Sequence, residues 1–210
     1  MLTLLIATAA VAQPQPARNW TQTVASTPVG WRVGNPAARI KLVEYGSLNC
    51  PHCAHYSEFA TAPIMAAVEA GRASFEFRPF LIFPHDVAAT LIARCVAPGR
   101  RFGFIERYYK ATGGFTDKLR ASDPASLKAE GTAATNRRLV AVSGMAPLAA
   151  RFGLTPAATN RCVSDPAGAA WLQAAYAKAK EAGVQSTPTF LINGKRVEFN
   201  NAAELSALLK

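Results

Sequence analysis

Two cysteines three positions apart place the strongest constraint on this chain. Cys50-Pro51-His52-Cys53 follows a β-rich, largely apolar run over residues 40–45 and opens a helical pattern over 51–70. Residues 46–49 form a short loop, and Pro51 fits the first helical turn, where its missing N–H costs nothing. A thiol pair at a strand-to-helix junction is a redox arrangement. The thiolate, not the thiol, attacks a disulfide. A helix start favours negative charge through its unpaired N–H groups and its dipole. Cys50 is therefore expected to have a depressed pKa, with His52 adding positive charge or a donor. Cys53, one turn in, is expected to be more buried and to act as the resolving thiol. Stabilising the reduced thiolate makes the disulfide a stronger oxidant, so the Pro-His spacer argues for an oxidant rather than a reductant. Structural zinc would need two further ligands; no second C-x-x-C exists, and His55 and His85 are poorly spaced to complete a site. No metal is expected, and these two histidines read as polar surface or cleft residues.

A second signature stands far downstream in Ser186-Thr187-Pro188-Thr189-Phe190. A proline just before a returning strand marks a strand start or a turn. Beside a redox pair, a cis-proline exposes the preceding backbone to an incoming peptide. The strand is followed by Asn193-Gly194, a strong hairpin signal, and Asn201 to Glu204 resembles a capping box before a terminal helix.

Residues 40–53 and 187–194 together resemble the thioredoxin superfamily, and within it the DsbA-like thiol:disulfide oxidoreductases. The resemblance covers residue 30 to the C-terminus. It implies an α/β fold, a thioredoxin fold with an inserted all-helical subdomain. Cys50 resembles the nucleophile, Cys53 the resolving cysteine and Pro188 the cis-proline, with Thr187 beside it. Glu44 matches a buried acid under the active-site helix, able to move protons to or from Cys53. Its neighbours Leu42, Val43 and Tyr45 are apolar, which agrees with burial. Thr187 is a departure: oxidases of this type often carry Val there, and Thr is familiar from isomerase-type relatives. The resemblance further implies reduced exported proteins as substrates, a membrane-bound oxidant that recharges the enzyme, and no cofactor beyond the Cys50–Cys53 disulfide. An isomerase or reductase of the same fold is the alternative reading, and a peptide-binding or chaperone module with incidental cysteines is a third. Residues 1–30 are too few for the dimerisation domain that isomerases of this superfamily usually carry, which weighs against the isomerase reading; a monomer is expected.

The expected organisation is a signal peptide over 1–12, a linker or extended arm over 13–30, the first part of the thioredoxin fold over 31–83, a helical insertion over 84–183 and the second part over 184–210. Residues 2–12 are apolar, too short to span a bilayer, and end in the small-x-small triplet Ala10-Val11-Ala12, although no Lys or Arg precedes them. This predicts export, to a periplasm in a bacterial setting. In such an oxidising compartment Cys95 and Cys162, both in the helical stretch, are expected to form a structural disulfide. Pro63 is expected to kink the first helix, and Asp86 to cap the helix over 86–96. A second insert helix is expected over 101–111. The chain is half apolar and carries a net charge of +10, but its Lys and Arg are scattered with no dense basic run. A solvated basic surface is expected rather than nucleic-acid binding.

Overall fold

The structure, a computed structural model, describes residues 19–210. The signal peptide expected over 1–12 lies outside them. Six strands form one mixed sheet: β1 (Val24–Thr27), β2 (Gly30–Gly34), β3 (Ile40–Gly46), β4 (Ala73–Pro79), β5 (Thr189–Ile192) and β6 (Lys195–Val197). Their order is β1-β2-β4-β3-β5-β6. Only β3 and β4 run parallel, joined through α1 (Pro51–Glu69). That crossover leaves the start of α1 at the C-terminal end of the central strand.

β3 is buried on both faces, which explains its nearly continuous apolar run. Ile40 and Leu42 join the large core beneath α1, and Val43 and Tyr45 join a second cluster with Phe80, Ala179 and Val184. Glu44 falls on the α1 side of this alternation. The helix α1 runs unbroken past Pro63 to Glu69. It closes at Gly71, whose positive φ of 70° lets the Arg72 N–H reach back to Ala67.

Two expectations about organisation need correction. Residues 13–30 are not all linker, because β1 pairs antiparallel with β2. Val24–Thr27 is four residues long and only half-buried, so it lacks the apolar alternation that announces a strand. Gly30 lets β2 approach β4 closely: a Cβ there would come within 2.1 Å of the Phe77 carbonyl oxygen. In the stretch 84–183, α2 (Asp86–Cys95), α3 (Pro98–Arg120), α4 (Pro124–Leu127), α5 (Thr132–Ser143), α6 (Met145–Arg151) and α7 (Pro156–Val163) precede α8 (Pro166–Glu181). The last of these is as much a cover for the sheet as part of an insert: Tyr176 meets the Phe80 ring at 5.0 Å, and Ala179 packs with Val43 and Tyr45. The expected helix over 101–111 is α3, far longer, because its buried stripe continues through Tyr108, Thr112, Phe115 and Leu119 at helical spacing. Pro98 and Gly99 form its first turn. Cys95 at the end of α2 is disulfide-bonded to Cys162 in α7. The chain closes with α9 (Ala202–Leu208), whose first N–H groups are capped by the Asn201 side chain while Glu204 returns to the Asn200 N–H.

Candidate active site

Cys50 occupies the N-cap of α1, with Pro51 as the first helical residue. The cap position is extended in backbone and leaves the first N–H groups of the helix without internal partners. Those of His52 and Cys53 turn to the Cys50 sulfur. The Cys53 thiol also hydrogen-bonds this sulfur and is the largest cause that brings the Cys50 pKa down from 9.0 to about 5, against the opposing effect of burial. Cys53, fully buried, moves the other way: desolvation, the Cys50 sulfur and the Glu44 charge all raise its pKa well above the ordinary thiol range. The two thiols therefore differ sharply, with Cys50 the anion at neutral pH and Cys53 the protonated partner.

The downstream signature meets this pair directly. Thr187–Pro188 is a cis peptide, and the Cys50 thiol lies 3.5 Å from the Thr187 carbonyl oxygen across 137 residues of sequence. The Thr187 hydroxyl is buried and has no hydrogen-bond partner among the described residues, yet it lies close enough to the sulfurs to favour the Cys50 thiolate. Glu44 is buried below, and burial raises its carboxyl from 4.5 to about 8, with the Tyr109 hydroxyl pulling back and the Cys50 charge pushing further up. Cys50, Pro51, Cys53, Glu44, Thr187 and Pro188 are thus brought to one place. The His52 imidazole is exposed, and the residue reaches Cys50 through its backbone N–H. His55 is exposed and 3.6 Å from Glu58. His85 is half-buried in a cleft beside Pro51 and Phe83. Among the described residues no group of three or more His, Cys, Asp or Glu gathers to hold a metal.

Two functional groups escape sequence reasoning. Asp86, expected as a helix cap, is instead the first residue of α2, after the cap position His85, and its side chain is wholly buried. Its carboxylate accepts from Ser47 Oγ at 2.9 Å, from the Asn49 amide at 2.8 Å, and from the backbone N–H groups of Asn49, Ile82 and Phe83 at 3.2, 2.7 and 2.8 Å. It clamps the loop that delivers Cys50. Asn49 is held from the other side by the Tyr108 hydroxyl at 3.0 Å. The second group is Tyr109, whose hydroxyl donates to Glu44 Oε1 at 3.5 Å. Both tyrosines come from α3, more than fifty positions downstream of what they touch, so no local pattern reveals them.

The comparisons with known proteins agree with this geometry. The family model described as Thioredoxin matches residues 26–210. The chain belongs to the thioredoxin family. Within it, the chain has the DsbA-like form, in which helices are inserted between the two halves of the fold. This thioredoxin-family protein is similar to the solved protein-disulfide isomerase of Novosphingobium aromaticivorans, at 28% identity and a TM-score of 0.77, over 85% of this chain and 94% of that one. The fold is shared with Wolbachia pipientis alpha-DsbA1, at 19% identity and a TM-score of 0.66, over 90% of this chain and 94% of that one. A curated relative, "Putative protein-disulfide oxidoreductase" of Rickettsia bellii (strain RML369-C), is 31% identical over 64 residues, which is 30% of this chain. The chain spans about a quarter (25%) of the length of that curated relative.

Proposed function

We propose that the protein is an exported thiol:disulfide oxidase that passes the Cys50–Cys53 disulfide to folding secreted proteins. A substrate thiolate attacks Cys50 Sγ, forming a mixed disulfide and expelling Cys53 as a thiolate that takes a proton from Glu44. A second substrate thiolate then attacks the substrate sulfur of the mixed disulfide and releases Cys50. The substrate loses two electrons and gains a disulfide, and the enzyme ends as a dithiol. A membrane-bound oxidant then accepts the two electrons and restores the disulfide. The exchange uses protein sulfurs alone, so neither metal, nucleotide nor flavin enters the balance.

The observation that carries this reading is the Cys50 sulfur held at a pKa of about 5 beside the cis Thr187–Pro188 bond. A thiolate this stable is a good leaving group, and its stabilisation in the dithiol makes the disulfide oxidising. The apolar run over 2–12 with its small-x-small end supports export to a periplasm, where the second disulfide would also persist.

Refolding of a reduced multi-disulfide substrate by the oxidised protein, beside Cys50→Ala, tests the proposal. The native protein is expected to speed disulfide formation and the variant to fail; equal stimulation by both rejects redox catalysis. A reduction potential above about −200 mV supports the oxidase, and one near about −270 mV, in the reductant range, rejects it. Thr187 before the cis-proline favours a second reading, disulfide isomerisation, as does the likeness to a protein described as an isomerase. Faster repair of a scrambled substrate than oxidation of a reduced one would select it.

A further inference from the structure

When Glu44 gives its proton to Cys53, a carboxylate is left buried in the site. On the cysteine side it meets only buried groups, since Cys50, Cys53 and Thr187 are each under a tenth exposed. Away from the cysteines it lines a cleft between α1 and α3 with a volume of about 40 Å³, enough to admit water. Ser57, Thr61, Glu106 and Tyr109 supply the polar groups of its wall, and Ser57, Thr61 and Glu106 are half-buried, at the solvent side. Tyr109 stands at the inner end, its hydroxyl on Glu44 Oε1 and near enough to the Cys53 sulfur to interact with it. The junction is tight. A Cβ on Gly46 would lie 2.8 Å from Glu44 Oε1, 2.9 Å from the Tyr109 oxygen and 2.6 Å from the Phe77 ring. A glycine on β3 is what gives the carboxyl and the phenol a common space.

We propose that Glu44 exchanges its proton with bulk water through the α1–α3 cleft, and that Tyr109 is the positioning residue that holds the carboxyl between this cleft and Cys53. The inference rests on the exchange chemistry proposed above and on Glu44 as its acid. When the disulfide is broken, the Cys53 thiolate takes the Glu44 proton, and the carboxylate left behind takes one from water in the cleft. When the disulfide is restored, Glu44 first releases its proton to water in the cleft, and the carboxylate then takes the proton of Cys53, so that one proton enters on reduction and one leaves on oxidation. The titratable groups facing Glu44 are Cys50 and Cys53 from α1 and Tyr109 from α3, with Glu106 further out and paired to Lys110 at 2.5 Å. From β4 and β5 the cleft receives only the rings of Phe75 and Phe190.

The test is reduction of the oxidised full chain by dithiothreitol, followed by stopped flow from about pH 5 to 10 and normalised to reagent thiolate, a range that spans the acid's titration. Wild type is compared with Tyr109→Phe, Ser57→Leu and Glu44→Gln, and ultraviolet absorbance of the Cys50 thiolate is read in each. Wild type is expected to show a break in the rate that Glu44→Gln abolishes. Tyr109→Phe removes a donor that favours the carboxylate, so the break moves to higher pH and the rate falls about tenfold, while the Cys50 titration keeps its place. Ser57→Leu fills the cleft and slows the reaction without moving the break; if it fails to fold, Ser57→Val is read the same way. If Glu44→Gln alters the profile but either Tyr109→Phe or Ser57→Leu matches wild type, the route is overturned and Glu44 stands. If Glu44→Gln itself matches wild type, the acid assignment falls and the route with it.

Discussion

At the scale of single residues, the site opposes two buried titrations. The Cys50 pKa is lowered from 9.0 to about 5, so its stabilisation of the dithiol protein is complete above the ordinary thiol range and is lost as pH falls through about 5. Glu44 is raised from 4.5 to about 8, so its contribution is complete below 4.5 and is lost as pH rises through about 8. The first depends wholly on the redox state, because a disulfide sulfur does not titrate; the second depends on it only through the Cys50 charge, a smaller cause than burial. The melting temperature of the reduced protein, relative to the oxidised one, is therefore expected to rise from about pH 5 to about pH 8. Cys50→Ala, which forms no Cys50–Cys53 disulfide, is expected to lack that rise in its own melting temperature. Calorimetry of both forms checks this, and a flat or falling difference in wild type would contradict the assignment of Cys50 as the anion.

At the scale of elements, the active-site loop is held by groups it does not contain. Residues 47–49 follow a rigid central strand, and the Asp86 carboxylate of α2 collects five donors from this loop and from Ile82–Phe83. Asp86→Ala would orphan buried donors in both segments and is expected to cost about 3 kcal/mol or more in denaturant unfolding, with a lower midpoint. A loss below about 1 kcal/mol would mean that water replaces the carboxylate without penalty. The same contrast separates what sequence reveals from what it hides. Strand β3, the cap position of Cys50, the cis-proline strand and the Asn193–Gly194 hairpin carry local chemistry that is legible one residue at a time. β1 is short and half-covered, and α6 (Met145–Arg151) follows Gly144 with only seven residues, so each repeats its pattern at most twice. Asp86, Tyr108 and Tyr109 look like ordinary helix residues until tertiary packing places them against Asn49 and Glu44.

At the scale of the whole molecule, the two halves of the thioredoxin fold are separated by helices that are tied together covalently. The Cys95–Cys162 bridge spans 67 residues, from the end of α2 to α7. Closing a loop of that length restricts the unfolded chain, and its removal in Cys95→Ala/Cys162→Ala is expected to cost about 4 kcal/mol. Thermal unfolding is the measurement, and an unchanged midpoint would show that helix packing alone holds the insert. The Cys50 titration should stay in place, because neither sulfur of the bridge is among the groups that shift it.

The contact of Cys50 with the Thr187 carbonyl joins an early part of the chain to a late one. Under the export proposed above, the reactive pair would leave the translocation channel before the segment that completes the site. A nascent copy therefore emerges with its sulfurs but without the backbone ledge on which a client peptide would lie. The order of residues along the polypeptide would thus delay completion of the site until residues 187–188 have followed the cysteines.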